Sequence, residues 1–215
     1  SAVTAISGNA ADVKKLVAAK GVEIAKDVKI DLSGTTTNAS DLATILKATT
    51  GEVKATVAAD TAAKLNAALK DANSSDALTL KVDGTTATAK DLISLDGKTN
   101  VDIILSVGAI TGNITEITKV FVDDADNFDG EQTTAATISG EITAAQADAI
   151  ADVTSKVVTA TIKADTADNL KTALSDTDVN AYKLTVSGET ADAADLLALD
   201  GKTSVTVNAA AIKNI

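Results

Sequence analysis

The chain is 215 residues long, 45% of them apolar, and it carries a formal charge of −11 with an isoelectric point near 4.4. That much apolar content excludes a disordered tail, and the acidic field opposes binding to phosphate backbones or anionic lipid. All 19 cationic residues are Lys, and Arg, His, Cys, Met, Pro and Trp are absent, so imidazole proton shuttles, thiolate nucleophiles, zinc clusters and disulfides are excluded with them.

Along the chain, apolar and polar residues alternate in short runs that begin near Val28, Val53, Leu78, Val101, Val158, Tyr182 and Val205. Val28, Ile30 and Leu32 set against Lys29 and Asp31, or Leu78, Leu80 and Val82 against Thr79 and Lys81, is the period of a half-buried strand. Between these runs the spacing becomes helical, as in Val13, Leu16 and Val17, in Leu42, Ile45 and Leu46, and in Ala62, Leu65 and Leu69. A Gly turn or an Asp-Thr pair (Asp60 or Asp165) precedes each helix and offers a side-chain oxygen to its first amides.

The chain also repeats itself. ATVAADTAAKLNAAL from Ala55 returns as ATIKADTADNLKTAL from Ala160, and LKVDGTTATAKDLISLDGKT from Leu80 returns as LTVSGETADAADLLALDGKT from Leu184. AISGN at Ala5–Asn9 answers AITGN at Ala109–Asn113. Two copies of about 105 residues, 1–107 and 108–215, therefore cover the sequence, each with about four β-α segments.

One strand, one turn and one short helix every 23 to 25 residues predicts an α/β fold. Its expected form is a right-handed β/α solenoid, with a parallel sheet on one face and short helices on the other. Leucine-rich-repeat architecture is the nearest analogue. About nine strands at about 4.8 Å each would give a sheet roughly 40 Å long. No capping segment is visible at either end, which predicts either a piece of a longer array or self-association by end-to-end stacking of identical repeats. No apolar run approaches the roughly 18 residues of a membrane helix, and Ser1 opens no leader, so neither membrane insertion nor a signal peptide is expected.

ITAAQADAIADVTSKVVTATI, with the AITGN and DGKT corners, resembles the Ala/Thr/Asp-rich repeats of very large secreted bacterial proteins. These include cyanobacterial surface-layer, haemolysin-like and adhesin-type polypeptides. The resemblance implies an extracellular or cell-surface location, assembly into coats or filaments and often type I secretion; it transfers no catalytic residue. Two roles follow as expectations: a structural surface segment, or an adhesin-type module that recognises a glycan, calcium or another cell surface.

The candidate chemistry is sparse. Asp123, Asp124, Asp126, Asp129 and Glu131 lie in the irregular stretch 113–134. They form a candidate calcium site, because hard cations take several oxygen ligands from a loop; a solvated acidic loop is the plainer reading. No other cofactor is expected. DGKT at Asp96 and Asp200 reads as a turn in which Gly supplies positive φ, and no segment has the spacing of a phosphate loop. Thr56, Thr79, Thr161, Thr185 and Thr206 would form an outward threonine row interrupted by charges. Paired carboxylates for glycoside hydrolysis lack an aromatic platform for the sugar, so no enzyme is expected.

Overall fold

A computed structural model describes residues 3–215. The fold is α/β, with parallel strands and short helices alternating along the chain. It forms two compact units: the chain up to Val107 with Asp126–Asp129, and Gly108–Ala125 with Gly130–Ile215.

The first unit opens with β1 (Ala5–Ser7), α1 (Ala10–Val17), β2 (Lys29–Thr37), α2 (Ala39–Leu46), β3 (Val53–Val57), α3 (Ala62–Ala68) and β4 (Ala77–Thr79). The strands pair in chain order and all in parallel, with Ile6 opposite Ile30, Ile30 opposite Val53, and Ala55 opposite Leu78. Parallel neighbours require a crossover, and each crossover here carries one short helix. Successive helices touch, α1 on α2 and α2 on α3.

The alternation seen in the sequence decides which side chains turn inward. Val28, Ile30, Leu32, Val53, Leu78, Leu80 and Val82 are at most 1% exposed, and Leu42, Ile45, Leu65 and Leu69 meet them from the helices with no exposure at all. Gly51 marks the closest backbone approach: a Cβ there would lie 2.3 Å from the Asp27 carbonyl oxygen, a distance only glycine tolerates.

The expected single sheet of nine strands is not what forms. The β1-β2-β3-β4 ladder stops at Thr79, and the next extended segment, β5 (Lys81–Thr88), lies beside β6 (Ile103–Asn113) in a second ladder. Only Leu80 separates the two: the Thr99 hydroxyl accepts from the Leu78 N–H at 3.0 Å and donates to the Leu78 carbonyl at 2.8 Å, while the Asn100 and Ile104 N–H groups bond to the Asp76 and Leu80 carbonyls at 2.9 and 3.0 Å. The unit is completed by α4 (Ala89–Asp96), which touches α3, and by β7 (Phe128–Asp129), parallel to β6 at Ile103 and Ile104.

In the second unit the later half of β6 pairs with β8 (Ala135–Ile142), Ala109 opposite Ala135 through Asn113 opposite Ser139. Then come β9 (Val158–Ile162) and β10 (Ala181–Lys183), again parallel and in chain order. The intervening helices are α5 (Ile114–Thr118), α6 (Ala144–Ala151) and α7 (Ala167–Ala173), and α8 (Ala193–Asp200) follows β10. The run at Val205 does not become a regular strand. It makes only isolated parallel bridges, Asn180 to Thr203, Thr185 to Asn208 and Thr190 to Asn214. Its Asn-Ala-Ala-Ala stretch has few β-branched side chains to hold a pleated surface.

The helix starts carry the side-chain oxygens expected of them. In the Asp-Thr pairs the Thr caps the helix: Thr61 accepts from the Lys64 N–H at 3.4 Å and Thr166 from the Asn169 N–H at 3.3 Å. Asp60 and Asp165 instead accept from the very next N–H, at 2.8 and 2.7 Å. Asn9, Thr88, Asn113, Thr143 and Asp192 cap α1, α4, α5, α6 and α8 through their side-chain oxygens. Asn38 makes no side-chain cap.

Candidate functional site

The most regular polar feature of both units is a set of corner residues that bond to backbone. In the first unit Thr49 donates to the Val28 carbonyl at 2.6 Å and accepts from the Gly51 N–H at 2.9 Å. Asp76 accepts from the Val53 N–H at 2.8 Å. Thr99 holds Leu78 and accepts from the Val101 N–H at 3.1 Å. The second unit repeats the pattern. Thr154 donates to Thr134 at 2.8 Å, Asn180 accepts from the Val158 N–H at 2.7 Å, and Thr203 donates to Tyr182 at 2.7 Å. Each bond spans 20 to 23 residues, so each corner fastens one β-α segment to the one before it. Asp76, Thr99, Thr154, Asn180 and Thr203 are all buried. A buried polar group must find a partner, and these find main chain.

The DGKT corners take part in this set, but not through their glycines. Gly97 and Gly201 have φ of −64° and −69°, so both close a helix in right-handed conformation and neither uses positive φ. The residue that matters in each is the final threonine. Lys202 adds a bond to the Asp176 carbonyl.

The five acidic residues of the candidate calcium site are placed separately. Asp123 is exposed at the end of the turn Lys119–Asp123, and Asp124 is ion-paired with Lys119. Asp126 is exposed in the turn Ala125–Asn127, and Asp129 is exposed on β7 opposite Ile104. Glu131 is buried at 4% exposure. Asp126 and Asp129 belong to the first unit and the other three to the second. Among the described residues no three carboxylates gather into a group that could hold a metal ion. The two Phe residues of the stretch, Phe121 and Phe128, are buried at 2% and 4% exposure.

Threonines do align across strands, Thr36, Thr56 and Thr79 in one unit and Thr111, Thr137 and Thr159 in the other. Thr161 stands between Glu141 and Lys183, and Thr185 opposite Asn208, which breaks the row. A groove on the outer side of β1, β2 and β3 is lined by Ser7, Lys29, Asp31, Glu52 and Lys54, with Lys29 paired to Glu52 at 3.1 Å.

Titration shifts follow from these contacts. Burial raises Asp76 above the usual carboxylate value while the Asn73 and Val53 amides oppose it. Burial likewise raises Tyr182, helped by Asp176, Asp148 and Asp152. The hydrogen bond from Lys171 on α7 to Asp195 on α8 raises the Lys171 ammonium. The Thr61 amide and the Lys64 side chain lower Asp60. The corner threonines were not singled out in the sequence, although Thr49 and Thr154, Asp76 and Asn180, and Thr99 and Thr203 recur at the repeat offset. No protein-family model matches the chain, and neither a curated protein nor a solved structure does.

Proposed function

We propose that the chain is a non-catalytic structural repeat segment of an extracellular surface-layer or filament-forming protein, its parallel β-α segments wound as a right-handed, leucine-rich-repeat-like solenoid. One observation carries the reading. The corner bonds recur in both copies at matching positions, so Asp76, Thr99, Asn180 and Thr203, all buried, fasten segment to segment. That chemistry suits a load-bearing scaffold. The reading assigns self-association as the main interaction and no resident cofactor. The charge of −11 argues against a nucleic-acid partner.

The location is tested by immunogold labelling of intact and of sectioned source cells with antibodies raised against the chain. Label on the outer surface of unpermeabilised cells is expected. Label reached only after permeabilisation would remove the extracellular assignment.

A further inference from the structure

Four aspartates stand directly before glycine: Asp83, Asp96, Asp129 and Asp200. The carboxyl group of such a residue can be attacked by the main-chain nitrogen that follows it, because glycine has no side chain to shield that nitrogen. The attack needs both groups held together, and among the described residues one of the four pairs is built that way. The Gly84 N–H donates to Asp83 Oδ1 at 2.7 Å, so the carboxyl group rests against the nitrogen. Gly84 has a φ of +135°, which L side chains rarely adopt, and both residues are exposed to water.

The fold holds the other three differently. The Gly97 N–H donates to the Ile93 and Leu95 carbonyls and the Gly201 N–H to those of Leu197 and Leu199, so the ends of α4 and α8 engage these nitrogens. Asp129 is exposed on β7, and among the described residues no bond ties its carboxylate to the Gly130 N–H. Asp60 and Asp165 have the contact without the glycine: they accept from the Thr61 and Thr166 N–H at 2.8 and 2.7 Å, where a β-branched side chain crowds the nitrogen.

The repeat supplies an internal comparison. The same kind of corner precedes a helix at Gly8, Gly34, Gly112, Gly140 and Gly188, and in all five the residue before Gly is Ser or Thr. Ser187 takes the place of Asp83 in the second copy. Its N–H bonds to the Asp165 carbonyl at 2.8 Å, as the Asp83 N–H bonds to that of Asp60 at 3.0 Å, and Gly188 has a φ of +94°.

We infer that Asp83-Gly84 is a site of spontaneous aspartate isomerisation, with water as the co-reactant. The Gly84 nitrogen bonds to Cγ of the protonated Asp83 carboxyl group. The Cγ hydroxyl leaves with the nitrogen's proton as water, closing a succinimide ring. Water then adds to the Asp83 main-chain carbonyl carbon, and the bond from that carbon to the Gly84 nitrogen breaks. The main chain now runs through Cβ and Cγ, and Asp83 carries a free α-carboxylate; nothing is oxidised or reduced. The product lengthens β5 by one main-chain carbon beside the bond to Asp60.

The test ages the full folded chain in neutral buffer made with heavy-oxygen water, beside a sample unfolded in urea. Each round of ring closure and opening inserts the isotope at the aspartate, where peptide mapping reads it, and chromatography separates the isoaspartyl peptide. In the folded chain Asp83 should be labelled ahead of Asp129 and at least about tenfold faster than Asp96 or Asp200, since misplacing reacting groups costs that much or more. In urea the four should converge. Ser187→Asp should create a second labelled site, and Asp83→Ser, which installs the second copy's own residue, should remove the first. Circular dichroism checks that both variants fold.

Labelling at Asp83 no faster than at the other three in the folded chain overturns the inference. So does the same ranking in urea, which would make the neighbouring sequence the cause and not the fold. A folded Ser187→Asp variant that takes no label at that position would likewise remove the corner geometry as the cause.

Discussion

At the scale of single residues, Asp76 and Asn180 hold the same corner with different chemistry. Each accepts a strand N–H through Oδ1, but Asp76 does so as a carboxylate at 1% exposure, with the Asn73 N–H and Nδ2 on its other oxygen at 2.9 and 3.3 Å. Burial is the larger influence and raises its pKa above 3.8. Between 3.8 and the raised value the folded chain therefore binds more protons at this site than the unfolded chain does. The free energy of unfolding contributed by Asp76 falls as pH rises through that window. Asp76→Asn keeps the bond to Val53 and cannot titrate. Its loss of the acceptor for Asn73, about 1 kcal/mol, shifts the whole curve without changing its slope. The melting temperature of Asp76→Asn minus that of wild type should climb with pH across the window and level off above it. Asp60 and Asp165, lowered by their hydrogen bonds, lose stability on acidification in both proteins and cancel in the difference. Parallel melting curves would show that burial does not control Asp76.

At the scale of elements, strands were legible where alternating β-branched side chains met neighbours on both sides. β3 is an example: Val53, Ala55 and Val57 turn inward and both edges are paired. The Val205 run has the same alternation at Val205 and Val207, yet it forms bridges only, because the Asn-Ala-Ala-Ala stretch that follows brings few β-branched side chains to a pleat. The corner threonines escaped notice because each sits outside the alternating run, and Thr99 and Thr203 follow Gly-Lys, where a Thr reads as turn. Their recurrence at the repeat offset was the available signal. The acidic stretch shows a related limit: composition gives charge, whereas ligand geometry depends on the backbone path, and among the described residues no three of its carboxylates gather. Hydrogen exchange measures the contrast between elements. Amides of Val53–Val57 should exchange slower than those of Val205–Ile215 by more than about a hundredfold, since a segment held by isolated bridges opens without global unfolding. Equal protection in the two segments would mean that the last segment is as firmly held as β3.

At the scale of the whole molecule, charge and apolar surface oppose each other. Two copies that each carry −11 repel at long range, while exposed apolar side chains attract only on contact. Ionic strength separates the two effects. Raising salt from about 0.01 M to about 0.15 M shortens the screening length from about 30 Å to about 8 Å, which removes most of the repulsion and leaves burial of apolar area unchanged. Self-association, as the scaffold reading assigns it, should therefore tighten with salt, by severalfold in the association constant. Ion pairs between exposed side chains of two copies would work the other way, but pairs of that kind contribute little beside the global term. Light scattering at fixed protein concentration across that salt range measures the balance. Association that weakens as salt is added would mean that local ion pairs hold the copies together, and the exposed apolar side chains would then be bystanders to the contact.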